Sequence, residues 1–383
     1  MSERLDIKAL CGCLIVSFLF GILHAYSLFV VPLETAFDAG RSGVSFTYSA
    51  AVLSLSIAVL LGHRVYGVLK PWAFCVVAFG LGAVGLVLSA TASQLWQVWL
   101  FYGVVFGAAN GLGYGFALQF SARLWPAKTG WAMGMVTAAY AAGAATSPPV
   151  LAYLLESFGW SGTLVAQAVL YLVAAPIVAG LMMNCKTRFE AVIERSDVVR
   201  WSSHIGRWAA YGLAVFAGLM LLSQSSEVLR EGGGSDALAT AGPTLASGAS
   251  LVGSLFGGWA TDRVLPRRLL CALPIGSAFA LLAMVLVASV AIQVVGVMLA
   301  GFFYGATIAA YPAVLSKRYP GAKGISVYGV VFTAWGIAGV AAPFTAGALF
   351  DAFGAYQIAL MVGAALAVCS AVLALRLDKT PAA

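Results

Sequence analysis

Ten long stretches of this chain contain no Asp, Glu, Lys or Arg, and that spacing constrains its fold more than any other feature. Eight of them, 9–33, 42–63, 129–155, 157–185, 208–226, 237–261, 324–350 and 352–375, each suit one bilayer crossing. A helical crossing takes about 20 apolar residues. Two more, 71–122 and 269–316, are about twice that length and each hold two crossings. Turns are expected near Thr91–Gln94 in the first and Val290–Gln293 in the second. The sum is twelve crossings. They read as helices, because the runs show no period-2 alternation and lipid leaves backbone groups no outside partner. Composition agrees: 62% of residues are hydrophobic and 9% charged, against about 25% charged in a soluble domain. A water-soluble enzyme, a disordered chain and a nucleic-acid-binding domain are excluded on that ground.

The net charge of +7 is topological. With twelve crossings both termini lie on one side, and that side receives 19 of the 21 Lys and Arg; Arg41 and Arg230 are the exceptions. Basic loops stay cytoplasmic, so both termini are expected in the cytoplasm, with the chain in the plasma (cell inner) membrane. The six cysteines lie in or beside apolar runs and read as packing residues. No Cys/His spacing suggests a metal, and no nucleophile, base or phosphate-loop motif suggests an enzyme or a cofactor. Neither cofactor nor nucleic acid is expected as a partner, and the chain is read as a monomer in the lipid bilayer.

The longest polar segment, 186–207, divides the chain into an N-terminal six-helix bundle (1–185) and a C-terminal one (208–383). The halves repeat at an offset of 195 residues. Ser121, Arg123, Lys128, Gly134 and Val136 match Ser316, Arg318, Lys323, Gly329 and Val331. Pro148, Phe158 and Gly159 match Pro343, Phe353 and Gly354, Glu156 pairs with Asp351, and Tyr140 with Trp335. Six crossings repeated in parallel about a basic linker are the major facilitator layout. The loop after the eighth crossing, GWATDRVLPRR from Gly258 to Arg268, resembles that superfamily's GxxxDRxGRR motif. The loop after the second crossing, VLLGHRVYGVLK from Val59 to Lys70, lacks the motif's glycine and aspartate. FGAANGLGYGFALQ, from Phe106 to Gln119, with the following Arg123–Pro126 and Gly130–Gly134, resembles the oxalate:formate exchanger and monocarboxylate-carrier branch. The resemblance implies an all-α membrane fold of twelve helices in two six-helix pseudo-repeats. It also implies alternating access, with Asp262 and Arg263 as gating residues.

Candidate substrate residues come from polar or bulky side chains deep inside crossings. His24 is, tyrosines and thiols aside, the one ionisable side chain well inside a crossing, and such groups are functional candidates. Asn110 and Tyr114 form an i,i+4 stripe beside the packing stripe Gly103, Gly107, Gly111 and Gly115. Tyr140 and Trp335 are large rings on otherwise small-residue helices; Tyr304 is similar, and Tyr26 and Tyr48 are weaker candidates. Pro148, Pro149 and Pro343 are expected to bend their helices. Some dianion carriers of the resembled branch place basic residues inside crossings 8 and 11. Crossing 8 here has none, and crossing 11 has Trp335. Mid-crossing Asp and Glu are absent as well.

The reading is a secondary active or facilitative transporter of a small organic solute, a monocarboxylate or other organic anion, with protons as a candidate coupling ion. Export of a lipophilic or neutral compound stays open beside it, as does a non-transporting membrane sensor.

Overall fold

The computed structural model describes residues 5–189, 201–287, 289–319 and 321–377. Among them twelve long helices cross the molecule. In chain order these are α1 (Ile7–Phe37), α2 (Arg41–Val65), α3 (Pro71–Ala90), α4 (Leu95–Leu124), α5 (129–158), α6 (160–182), α7 (Ile205–Ser223), α8 (Asp236–Thr261), α9 (Pro266–Leu286), α10 (Val290–Arg318), α11 (Ala322–Phe353) and α12 (Gln357–Leu377). Ten helical stretches are long and apolar enough to span a membrane. One of these holds both α5 and α6, which are separated at Gly159 by a left-handed φ of 67°. The twelfth crossing, α8, is more polar and is not among the ten. Residues 190–200, the middle of the expected linker, lie outside the described residues.

Local chemistry sets the helix starts. The Asp6 carboxylate accepts from the Ala9 N–H, and Ser235 accepts from Leu238 N, each satisfying a donor that a helix start leaves open. Pro71 and Pro266 occupy first-turn positions, where a missing N–H costs nothing. The α3–α4 turn falls over 91–94 as expected. The α9–α10 turn does not fall over Val290–Gln293. The two helices end at Leu286 and begin at Val290, and Gln293 is already helical and buried, its Nε2 donating to Met284 O at 2.8 Å.

Helix α1 is not uniform. Between Ile22 and Phe29 it tightens into 3₁₀ geometry, which shifts its backbone bonds from i−4 to i−3 partners. Lipid gives helices no hydrophobic reason to associate, so close backbone approach and interhelical bonds hold the bundle. Gly107 and Gly111 seat α4 on Ala51 and Leu55 of α2, and a Cβ at Gly107 would stand 2.6 Å from the Ala51 carbonyl. The crossing recurs in the second half, where Gly301 and Gly305 of α10 meet Ala246 and Ser250 of α8. Those two residues lie 195 positions after Ala51 and Leu55. Hydroxyls join other pairs: Ser17 donates to Val136 O at 2.6 Å, Tyr171 to Leu19 O at 3.0 Å and Ser370 to Ala210 O at 2.7 Å. The halves meet along α5–α8 and α2–α11. Large side chains such as Phe279, Leu286 and Phe344 remain exposed on the outer surface, as a lipid-facing perimeter requires.

Candidate functional site

A cavity of about 690 Å³ lies between the two halves, lined from α1, α2, α4 and α5 on one side and α7, α8, α10 and α11 on the other. We call the end where α1 begins and α12 ends the near face, and the opposite end the far face. Exposure of the lining falls from the far face inward. Ser27, Ser45, Ser223 and Pro243 are exposed, whereas Tyr114, Ser254 and Trp335 at the bottom are buried. The cavity therefore opens to the far face and is closed below.

Five of the six sequence-predicted substrate residues line it: His24, Tyr114, Tyr140, Tyr304 and Trp335. His24 sits in the 3₁₀ segment of α1, and its Nδ1 pairs with the Tyr48 hydroxyl at 2.7 Å. Its ring lies 5.3 Å from Tyr140 and 6.3 Å from Trp335, so the aromatic walls of the two halves meet at the imidazole. Tyr114 packs on Tyr140 at 4.7 Å. Trp335 stacks on Phe332 at 5.1 Å, and its Nε1 donates to the Tyr304 oxygen at 2.9 Å.

Asn110 departs from the expectation. It is fully buried and does not line the cavity. Its Nδ2 donates to Phe20 O at 2.6 Å, just before α1 tightens, and its Oδ1 accepts from the Tyr140 hydroxyl at 3.1 Å. A buried carboxamide without partners is costly. Here both of its ends are used to hold α1 and Tyr140 from behind.

Several lining groups were missed or ranked low in the sequence. Tyr48 is the partner of His24, and Phe332 is the platform for Trp335. Ser247, Ser250 and Ser254 line the cavity from α8. Their 3- and 4-residue spacing is one helix face, a signal that was readable.

The near face is sealed around Asp262, at the end of α8. Its Oδ1 accepts from Gly130 N and its Oδ2 from Trp131 N, both at 2.9 Å. These are open first-turn donors of α5, where a helix carries partial positive charge. Lys317 of α10 adds a 2.6 Å ion pair to Oδ1 and a 2.9 Å bond to Thr261 O. Beside this cluster Gly130 and Gly134 of α5 abut Gly258 of α8, and a Cβ at Gly134 would stand 2.9 Å from Gly258 Cα. Arg263, expected in the gate, is exposed and lies over its neighbour Trp259, 4.6 Å from the ring centroid. The cation that the fold brings to Asp262 is Lys317, 55 residues further along the chain.

This two-sided arrangement is that of a transporter. The Major Facilitator Superfamily profile matches residues 11–252 and 208–383, and the chain belongs to that superfamily. It is similar to YhjX, an MFS-type transporter of Escherichia coli strain K12, with 24% identity covering 88% of this chain and 87% of that protein. It is also similar to monocarboxylate transporter 13 of Rattus norvegicus, with 24% identity over 40% of this chain and 36% of that protein. Among solved structures, the Escherichia coli fucose:proton symporter FucP shares the fold, with a TM-score of 0.74 at 16% identity, covering 99% of this chain and 100% of that one.

Proposed function

We propose that this transporter carries a small organic monoanion, a short monocarboxylate, by alternating access, with the near face toward the cytoplasm. The two halves, 1–185 and 208–383, rock about the cavity, and the far-face opening is its outward-facing state. The observation that carries the substrate class is the lining. Among the described residues that line the cavity, none is Asp, Glu, Lys or Arg, yet phenols, hydroxyls and one imidazole surround it.

A carboxylate accepts hydrogen bonds only. The hydroxyls of Tyr114 and Tyr304 and the free Nε2 edge of His24 are suitable donors from both halves. A second negative charge would meet no fixed cation there, and leaving a charge desolvated and unpaired costs several kcal/mol. A carboxylate beside His24 favours the protonated imidazole, so a monoanion and a proton would cross together as a neutral pair. The likeness to a monocarboxylate transporter supports this reading.

Reconstituted protein tests it. Uptake of L-lactate into proteoliposomes, stimulated by an inward proton gradient and not competed by oxalate or D-xylose, is the expected result. Uptake of D-xylose with no response to lactate would overturn the monoanion reading.

A further inference from the structure

The large ring of each half is tied to its own neighbour, and the two ties differ in what they leave over. Tyr140 and Trp335 occupy repeat-related positions on α5 and α11. Tyr140 donates its hydroxyl proton to Asn110 of α4, and Trp335 donates its indole proton to Tyr304 of α10. Asn110 ends that chain behind the wall: its oxygen accepts from Tyr140, its nitrogen donates to Phe20 O, and it is buried away from the cavity. Tyr304 does not. It accepts from Trp335 and still owns an O–H, and it lines the cavity. An indole has one N–H and no acceptor, so Trp335 has no hydrogen bond left to offer a solute.

We propose that Trp335 acts on the transported solute through Tyr304: the indole N–H fixes the phenol oxygen so that the Tyr304 O–H points to an acceptor atom of the solute. Trp335 is a positioning residue, and the second half grips its cargo by the Tyr304 hydroxyl. This deepens the monoanion reading and rests on it. The surroundings hold the pair in place. Trp335 lies flat on Phe332, 15° from parallel, which fixes the indole plane. Behind Tyr304 stands Gly218 of α7, where a Cβ would come within 2.7 Å of the phenol ring. The phenol therefore packs directly on the α7 backbone and has no room to retreat from the cavity. Polarisation along a donor chain strengthens its last bond, so the indole both orients the terminal O–H and makes it a better donor to a carboxylate.

The test uses purified full-length protein titrated with L-lactate, its neutral analogue lactamide and, in parallel, D-xylose. Tyr304→Phe is expected to weaken lactate binding by about tenfold, the effect of one hydrogen bond to a charged group. Trp335→Phe keeps an aromatic ring over Phe332 but removes the N–H. It is expected to weaken lactate in the same direction and to lower the lactate-to-lactamide preference, which a general packing defect would leave unchanged. The double variant is expected to bind no worse than Tyr304→Phe alone, because the two changes break one chain. Trp335→Tyr, which supplies a different donor, should recover part of the loss. Wild-type affinity in Trp335→Phe, or losses that multiply in the double variant, would overturn the inference. If D-xylose binds and lactate does not, the monoanion reading falls, and the same four variants titrated with xylose decide the Trp335–Tyr304 chain on its own.

Discussion

Asp262 ends one helix in the second half and caps another in the first. Each of its carboxylate oxygens accepts a backbone N–H of α5 at 2.9 Å, from Gly130 and Trp131. The seal of the near face thus depends on one charged side chain bonded to main chain, which substitution elsewhere on α5 leaves in place.

Asp262→Asn can accept through only one oxygen and loses the Lys317 ion pair. A charge-assisted bond contributes about 1.5–3 kcal/mol, so the equilibrium should move away from the far-face-open state. Turnover is expected to fall while solute affinity stays within a few-fold of wild type. A thiol reporter at Ser27, in a background without native cysteines, should react more slowly in the variant. Equal reactivity and equal turnover would show that the cap does not set the equilibrium.

Lys317→Gln and Arg263→Gln separate the two cations of this region. Lys317 bonds Asp262 and Thr261 directly, whereas Arg263 lies over Trp259 at the exposed loop. An exposed cation–π contact contributes about 0.5–1 kcal/mol. Transport by Lys317→Gln is expected to drop several-fold, and Arg263→Gln to stay near wild type. The reverse order, measured as initial rates in proteoliposomes, would restore the arginine as the gate.

Asn110→Leu should act through stability first. It strands the Tyr140 hydroxyl inside the bundle and removes the side-chain donor that ties α4 to the Phe20 carbonyl. A buried polar group left without a partner costs about 1–3 kcal/mol. A lower melting temperature in detergent is expected, along with weaker solute binding as Tyr140 loses its tie. An unchanged melting temperature would mean that water replaces the carboxamide.

His24→Gln keeps a polar side chain but cannot titrate. Imidazole in water titrates at about 6.5, and a bound carboxylate favours its charged form. Wild-type transport should therefore rise on acidification of the medium, and the variant should show a flat profile. The same acid stimulation in His24→Gln would assign the proton to another group.

Orientation is open to direct labelling. Ala36, at the far face, and Val68, between α2 and α3 at the near face, are both exposed. An impermeant thiol reagent added to intact cells is expected to modify a cysteine at Ala36 and to spare one at Val68. Labelling of Val68 alone would invert the assignment.

The crossings were legible because lipid excludes charge, so gaps between Asp, Glu, Lys and Arg mark the spans directly. The α9–α10 turn was misplaced for a related reason. The segment Val287–Gln293 has no Gly, Pro, Asp or Asn to mark a turn, and its one amide, Gln293, is buried and bonds back across the corner. Ring residues on smooth helices pointed to the cavity, and the structure gathers most of them there. Asn110 looked the same in sequence as a lining residue, since only packing decides which way a buried amide faces. The 3₁₀ segment of α1 carries no Gly or Pro. Its flanking partners, Asn110 and Tyr48, are supplied by other helices, and so is Lys317 beside Asp262.

The polarity of α8 bears on how the protein is made. The helix that carries Ser247, Ser250 and Ser254 into the cavity is not among those apolar enough to span on composition. Alone at the exit of the insertion machinery it gains little from lipid, and its hydroxyls would face hydrocarbon. Its partner α10, which contacts it through Gly301 and Gly305, is synthesised only later. α5, which packs on α8 through Gly130 and Gly134, is already in place by then, so the first half covers part of α8 before α10 arrives. The order of synthesis thus makes the first six helices a surface on which the polar helix of the second half is assembled.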